Sequence, residues 1–354
     1  MSERLNVFRK TIEDHNLDAM LITNPINRQY LSSFDGSSGM LLVSKDNAYL
    51  VTDFRYIEQA TAQAKEFEVK RWKDNLYEEL GALIKEKSWG KLGFESKHVV
   101  YSVYNDMKDK ISVELIPVED AVKNQRMVKS SSEQDILRRG AKILDQAFNY
   151  ICSIIKPGMS EADLALELEI FLRRQGAEKP SFQFIVASGV RGAMPHGTAS
   201  DKIMQQGELV TIDYGGVFEG YATDMTRTVA LGKPGQKARE IYKLVLEGQQ
   251  KASRAVKPFL KACEVDAVAR GIFEKAGYGQ YFGHGLGHGI GLETHEFPVL
   301  NQHSKTVLEA GMAVTVEPGI YIPQWGGVRI EDMVIITDHG PELLTNSPHE
   351  LVII

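Results

Sequence analysis

Two aspartates on one predicted β-hairpin are the first residues whose types and spacing suit cation binding. The segment 208–226 is predicted to form this hairpin with its turn near Glu219-Gly220, so Asp213 lies about six residues before the turn and Asp224 about four after it. Aspartate is uncommon in strands, and a bulge at Gly215-Gly216 would bring the two carboxylates side by side. Such like charges repel unless a cation lies between them. Two solvated aspartates at a sheet edge are the alternative, and this hairpin alone does not decide.

A second predicted hairpin carries two glutamates. Extended segments are predicted over 312–322 and 327–337, and Glu317 and Glu331 lie nearly symmetrically about the intervening turn. Both glutamates are flanked by β-branched residues typical of buried strands, where a lone carboxylate needs a partner. Four carboxylates on two hairpins therefore favour a metal site over solvated side chains.

Histidines are concentrated in one short segment, since three of the nine in the chain fall within 283–295. On a helix, His284 and His288 would share one face. The segment 283–291 also contains five glycines, and each would cost about 1 kcal/mol inside a helix. An extended or looped segment is therefore predicted, in which the two histidines need not bind the same ion. His295 ends this cluster, and His196, which follows an extended segment over 182–187, is a weaker candidate.

Helical and extended patterns alternate along the first third of the chain, as in a domain that packs helices on a sheet. We predict an α/β domain with a sheet over residues 1–127. The predicted elements are helices over 2–16, 55–64 and 76–87, strands over 19–23, 67–72, 91–95 and 113–118, and a hairpin over 39–52.

The remainder, residues 128–354, is predicted to be an α+β domain that positions the candidate residues. A long helix begins at the polar run Lys129–Glu133 and stops at Pro157-Gly158. A second helix follows Ser160, with Asp163 completing a weak capping box, and ends before Gly176. Two further helices are predicted over 237–256 and 264–276, among the extended segments named above.

Composition excludes several classes of protein. The 354 residues are 43% apolar and 25% charged, as in ordinary globular proteins. A formal net charge of −6 disfavours a nucleic acid partner. The two cysteines support neither a disulfide framework nor a thiolate metal cluster. With no signal peptide pattern and no run of about eighteen apolar residues, we expect no membrane partner and a cytoplasmic location.

The candidate residues, in order and with their flanks, resemble the pita-bread metallopeptidases, a group that includes methionine aminopeptidase, aminopeptidase P and prolidase. The resemblance rests on five positions in the chain: Asp213, Asp224, His288, Glu317 and Glu331. The segments 24–36 and 52–56 also resemble the creatinase-type N-terminal domain of the Xaa-Pro peptidases. The resemblance implies two domains, a creatinase-like α/β N-terminal domain and a pita-bread α+β catalytic domain.

The resemblance implies a dinuclear metal site. Asp213 would bind one ion, Asp224 and Glu331 would bridge the pair, and His288 and Glu317 would bind the second. Four carboxylates balance the charge of two divalent cations. Oxygen-rich ligation with one imidazole suits Mn²⁺ or Co²⁺, with Zn²⁺ or Fe²⁺ possible.

The reaction implied is metal-assisted hydrolysis of the amide bond before proline in a peptide. Glu317 is the candidate general base and proton shuttle. His196 and His295 resemble the histidines that contact the substrate carbonyl and the leaving nitrogen. His284 resembles a third histidine, which shapes the proline pocket.

Several points stay open. Tyr321 and Arg329 are candidates for supporting the ligands, Arg329 by orienting a carboxylate, but a structural role fits equally well. Residues 295–300 lack the arginine of some dipeptidases, whereas the short chain favours a prolidase-like enzyme, so dipeptidase and aminopeptidase specificity both remain. The alternatives are a methionine aminopeptidase-like exopeptidase and a non-catalytic pita-bread binding module. Relatives with this N-terminal domain are generally dimers in which it helps to close the partner's site, so the resemblance also implies a homodimer.

Overall fold

In the computed structural model, which describes residues 3–354, the chain divides between Arg126 and Met127 into two units. The first unit is built on one six-stranded sheet in the order β4-β3-β2-β1-β5-β6. Its elements are α1 (Glu3–Asp14), β1 (Ala19–Ile22), α2 (Pro25–Ser32), β2 (Met40–Ser44), β3 (Ala48–Thr52), α3 (Ile57–Gln63), β4 (Glu68–Arg71), α4 (Leu76–Glu86), β5 (Lys91–Glu95), α5 (Tyr101–Lys110), β6 (Glu114–Val118) and α6 (Lys123–Met127).

The predicted α/β architecture of this unit is confirmed. The hairpin over 39–52 is the antiparallel pair β2–β3, and parallel pairs join β1 to β5, β5 to β6 and β3 to β4. The helix predicted over 2–16 is α1, and Ser2 lies outside the described residues. Helices α2 and α5 were not predicted. A signal for α2 exists, because the Asn24 side chain accepts hydrogen bonds from the amides of Ile26 and Asn27 and Pro25 occupies the first turn.

The second unit has four long helices and thirteen short strands within the described residues. The helices are α7 (Ser131–Ile154), α8 (Glu161–Arg174), α9 (Gln236–Ala255) and α10 (Ala262–Lys275). The strands are β7 (Lys179–Pro180), β8 (Ile185–Ser188), β9 (Leu209–Tyr214), β10 (Gly216–Phe218), β11 (Tyr221–Ala222), β12 (Met225–Ala230), β13 (Gly287–Gly289), β14 (Glu296–Leu300), β15 (Ala313–Val316), β16 (Gly319–Ile322), β17 (Gly326–Arg329), β18 (Asp332–Thr337) and β19 (Gly340–Leu343).

The strands form antiparallel sheets and the helices pack on them, so the predicted α+β class is confirmed. The two main sheets have the orders β12-β9-β8 and β14-β13-β15-β18-β19, and β16 pairs with β17. One apolar cluster joins α7 and α8 to β8, β9 and β12, and another joins α9 and α10 to the strands β15 to β18. Each sheet is therefore backed by a pair of helices, which gives the strands a rigid support.

The start of α7 follows from its capping box. The Ser130 hydroxyl accepts from the Glu133 amide while the Glu133 carboxylate accepts from the Ser130 amide. At α8, Ser160 accepts from the amide of Asp163. No helix among residues 3–354 is long and apolar enough to cross a membrane.

The long extended segments predicted for the two hairpins are each divided in two. The bulge predicted at Gly215-Gly216 is wrong, because the register that pairs Phe218 with Tyr221 continues unchanged to the pair Tyr214–Met225. Asp213 lies opposite Thr226, so Asp224 is its diagonal neighbour on the same face, a spacing of about 7–8 Å between Cα atoms. The two carboxylates therefore come together without an extra residue.

Candidate active site

One cavity of about 500 Å³ in the second unit is lined by every candidate residue from the sequence. The ligand candidates come from both hairpins and from β13. The others come from the loop after β8, from the segment just before β13, from the residue preceding β14, and from β16 and β17. The ten residues are Asp213, Asp224, His288, Glu317, Glu331, His196, His295, His284, Tyr321 and Arg329. The structure thus gathers side chains that are up to 135 positions apart (196 to 331) around one space.

The acidic side chains and His288 lie close enough to share a cation. One potential ligand atom from each of Asp224, His288 and Glu331 lies within 4.8 Å of the others. His288 Nε2 is 3.8 Å from Asp224 Oδ2 and 3.4 Å from Glu317 Oε1. Among residues 3–354, the buried atoms Asp213 Oδ1, Asp224 Oδ1 and Glu331 Oε1 have no hydrogen-bond partner. Buried carboxylate oxygens without donors are costly, so this donor set fits divalent cations.

The electrostatics of the metal-free cluster agree with this interpretation. Burial, together with the charge of neighbouring carboxylates, raises the pKa of the Asp224 and Glu331 carboxyls well above the ordinary range. Burial raises the pKa of Glu317 to about 8. The Arg329 charge partly opposes this rise, and the charge of Asp213 adds to it. Cations binding here would displace these protons, so binding and deprotonation are coupled.

His288 is held in the form that a metal ligand requires. Its Nδ1 lies 3.0 Å from the Gly289 carbonyl oxygen, an acceptor that requires the hydrogen on Nδ1 and leaves the lone pair of Nε2 directed at the carboxylates. Burial lowers the pKa of the His288 imidazole to about 4. The ring is therefore neutral at pH 7, and its free nitrogen is available to an ion.

Arg329 and Thr226 orient two of the carboxylates. Arg329 Nη2 donates to Asp213 Oδ2 at 2.6 Å, and its Nε donates to Thr226 Oγ1 at 3.1 Å. The Thr226 hydroxyl donates to Glu331 Oε2 at 2.6 Å. Each of these carboxylates thus has one oxygen fixed by the protein and the other free of donors. Thr226 was not predicted, although its place directly opposite Asp213 in the ladder is a signal for it.

Tyr321 connects Arg329 to His284. The Tyr321 hydroxyl accepts from Arg329 Nη1 at 2.9 Å and lies 2.9 Å from His284 Nε2. Because His284 Nδ1 lies 2.7 Å from the Gly285 carbonyl oxygen and must donate to it, Nε2 accepts from the tyrosine. Burial lowers the pKa of His284 to about 4, so the imidazole at the end of this chain of hydrogen bonds is neutral at pH 7. Tyr321 is thus positioned by two partners of fixed polarity.

The other two histidines line the cavity beside the acidic cluster. The ring of His295 lies 4.2 Å from that of His288, centroid to centroid, and burial lowers its pKa. His196 lies on the loop after β8 and is exposed. Both imidazoles can offer hydrogen bonds to a molecule in the cavity.

Comparison with known proteins assigns this arrangement to a family. The model of metallopeptidase family M24 matches residues 135–338, and that of the creatinase/prolidase N-terminal domain matches residues 4–128. The chain belongs to metallopeptidase family M24. The resemblance stated from the five ligand candidates is therefore confirmed, and M24 membership implies divalent metal ions.

This M24 chain is similar over nearly its whole length to proteins named as Xaa-Pro peptidases. It is 41% identical to the Xaa-Pro dipeptidase of Pyrococcus furiosus over 99% of this chain and 100% of that protein. Among solved structures, an Xaa-Pro dipeptidase from Bacillus anthracis superposes with a TM-score of 0.98 at 47% identity, over 99% of both chains. An X-Pro aminopeptidase from Thermotoga maritima gives a TM-score of 0.91 at 35% identity, over 98% of this chain and 100% of that one.

One buried contact of the M24 site was not predicted from the sequence. Lys129 Nζ lies 3.1 Å from Glu296 Oε2, and the two side chains are 1% and 4% exposed. Glu296 lines the cavity and follows His295 directly. The partners are 167 positions apart, and no local pattern connects them.

Proposed function

We propose that this M24 enzyme is a metal-dependent Xaa-Pro peptidase that hydrolyses the amide bond preceding proline in dipeptides or short peptides. The observation that carries this proposal is the single cavity in which unpartnered carboxylate oxygens and a neutral, oriented imidazole adjoin three further histidines. The similarity over the full chain to proteins named Xaa-Pro dipeptidase supports the choice of bond.

Two divalent ions would be held by the four carboxylates and His288. We propose Asp213 for one ion, Asp224 and Glu331 as bridging ligands, and His288 with Glu317 for the other. Mn²⁺ or Co²⁺ suits this oxygen-rich set best, and Zn²⁺ or Fe²⁺ is compatible with it. When bound, such ions polarise the scissile carbonyl and acidify water at neutral pH.

The residues of the chain supply proton transfer and orientation. Glu317 is the proposed general base, since its carboxylate lies at the cluster, with Oε1 3.4 Å from His288 Nε2. His295 and His196 are proposed to donate hydrogen bonds to the substrate carbonyl and the leaving nitrogen. His284 would shape the proline pocket, and the bond from Arg329 to Asp213 would keep that ligand in place.

Both dipeptides and longer peptides are proposed as substrates. Arg329 is the only lysine or arginine among the cavity-lining residues that the structure describes, and Asp213 and Tyr321 already bind it. The C-terminal carboxylate of an Xaa-Pro dipeptide would therefore find no lysine or arginine on this lining that is reserved for it. Neutral groups that accept a dipeptide carboxylate would also accept the next amide of a longer chain.

The first unit is proposed to have the creatinase-like role over residues 1–127, helping to control substrate access and to form a homodimer. Light scattering of the purified protein tests the dimer, with a mass of one chain contradicting it. The cytoplasmic location expected from composition stays a prediction.

The activity is tested with three peptides in the presence of Mn²⁺ or Co²⁺, with metal analysis of the same samples. Cleavage of Ala-Pro and of Ala-Pro-Ala is expected. Cleavage of Met-Ala-Ser alone would instead favour a methionine aminopeptidase, and no cleavage of any of the three would favour a binding module. Full turnover after exhaustive chelation would refute the metal-dependent mechanism.

A further inference from the structure

The carboxylate of Glu161, outside the cavity, receives five hydrogen bonds. Its Oε1 accepts from the amide and the hydroxyl of Ser188, both at 2.8 Å. Its Oε2 accepts from Arg191 Nε at 3.1 Å and from the amide and hydroxyl of Ser200 at 3.2 and 2.7 Å. The side chain is 0% exposed. Glu161 begins α8, whose N-terminal amides favour a negative charge at this position.

The partners of Glu161 lie at both ends of one loop. Ser188 ends β8, and Ser200 follows residues 189–199, here named the His196 loop. Arg191, near the start of the loop, also donates from Nη2 to the carbonyl of Thr198 near its end, at 2.5 Å. One carboxylate on a rigid helix therefore ties together the entry, the interior and the exit of the loop.

The His196 imidazole depends on this loop for its position. Within residues 3–354 the ring has no hydrogen bond to a protein group, and His196 is exposed. At the tip of the loop, the Pro195 carbonyl accepts one long bond, 3.3 Å, from Arg329 Nη1. The strong, charge-assisted contacts of the loop are thus at its base, on Glu161.

We propose that Glu161 is a positioning residue that sets the place of His196 in the cavity. The inference rests on the function proposed above, in which His196 contacts the substrate. A shift of about 1 Å in a positioned group can cost roughly a hundredfold in rate. Loosening the base of the loop should therefore impair the chemical step through His196 and leave the metal ligands in place.

Kinetics of a double mutant test this dependence. Glu161→Gln preserves side-chain size but turns an amide NH₂ toward N–H and O–H donors. On a cleaved Xaa-Pro peptide with saturating Mn²⁺, we expect kcat to fall about tenfold in Glu161→Gln and about a hundredfold in His196→Ala, with metal content unchanged. The double variant should be no slower than His196→Ala alone, since Glu161 acts through that residue. The proposal would be overturned if the two single-variant losses of kcat multiplied in the double variant, or if Glu161→Gln lost bound metal.

A matched control comes from the same helix. The Glu167 carboxylate accepts one hydrogen bond, from the Tyr150 hydroxyl at 2.6 Å, and lies outside the cavity lining. Glu167→Gln makes the same chemical change on α8 and should retain the wild-type kcat. An equal loss in this variant would show that both glutamates merely support α8.

A spectroscopic measurement decides the proposal independently of peptidase activity. The ring resonance of His196 is assigned by its absence in His196→Ala, and it should shift or broaden in Glu161→Gln and not in Glu167→Gln. If Glu161→Gln does not fold, Arg191→Lys keeps the charge but loses the bond to Thr198, and it should change the same resonance. An unchanged resonance in the folded variant would refute positioning by Glu161. If the wild-type protein cleaves no Xaa-Pro peptide, the proposed function fails while this comparison still stands.

Discussion

Removing the metal ions should make the stability of the protein fall as the pH rises. In the metal-free cluster the pKa of Glu317 is about 8, against an ordinary value of 4.5. The folded state therefore holds a proton between these values that the unfolded state has lost. The contribution of Glu317 to stability is full below about pH 4.5, declines as the pH rises toward 8, and levels off above that pKa.

The size of the effect follows from the shift. Each pKa unit corresponds to about 1.4 kcal/mol, so Glu317 alone lowers the free energy of unfolding by roughly 5 kcal/mol between pH 4.5 and 8.5. Its side chain is 19% exposed, so screening by water is limited. The raised pKa values of Asp224 and Glu331 act in the same direction. For a unit of this size, 5 kcal/mol lowers Tm by roughly 10 °C or more.

Scanning calorimetry from pH 5 to 8.5, with Mn²⁺ or with a chelator, measures this difference. The loaded protein should show little decline, because bound cations replace the protons. Metal-free Glu317→Gln is the matched variant, with similar size and no titration, and its Tm should fall less steeply than that of the metal-free wild type. Identical pH slopes for these two metal-free proteins would refute the reasoning.

Two further substitutions probe the site, and a third probes a buried ion pair outside the cavity lining. Glu331→Gln should abolish peptidase activity and lower the bound metal measured by elemental analysis, while circular dichroism stays native. Tyr321→Phe removes both the acceptor for Arg329 and the donor to His284, so kcat should fall about tenfold with metal content unchanged; a wild-type rate would exclude a role for the hydroxyl. Arg227→Met removes the guanidinium that lies 2.7 Å from the buried carboxylate of Asp332, leaving the His349 imidazole at 2.7 Å as its remaining ion-pair partner, and should cost about 3–5 kcal/mol in calorimetry.

The four carboxylates could be singled out from the sequence because aspartate is uncommon in strands and because Glu317 and Glu331 are flanked by β-branched residues typical of buried strands. Their assignment as metal ligands together with His288 came from the family resemblance. The spacing along one hairpin could not show how the two hairpins meet. They meet through contacts between distant strands, such as the Glu331 amide donating to the Thr226 carbonyl and the Arg329 amide donating to the Thr228 hydroxyl. The bulge predicted beside Asp213 and Asp224 failed for a related reason. A difference of two residues about a turn places side chains diagonally on one face without any insertion.

The residues that support the site were harder to predict than the residues proposed as ligands. The partners of Glu161 are 27 to 39 positions away, and Lys129, which donates to Glu296, lies 167 positions away from it. No local period links such positions, whereas Ser130 and Glu133 form a capping box that a short motif reveals. Interactions within one element or turn can be predicted, but contacts across the fold require its topology.

Three of the proposed ligands lie where one strand ends and another begins. Asp224 separates β11 from β12, Glu317 separates β15 from β16, and Glu331 lies between β17 and β18. The backbone at two of these breaks is bonded to other segments, because the Glu317 amide donates to the Leu286 carbonyl at 2.8 Å and the Glu331 amide donates to the Thr226 carbonyl at 3.1 Å. The main chain therefore holds the ligand positions together before any ion binds. A side-chain change such as Glu331→Gln should accordingly remove the metal while the surrounding fold persists. Metal binding depends on the side chains of these residues, whereas the local fold depends on the hydrogen bonds of their backbone.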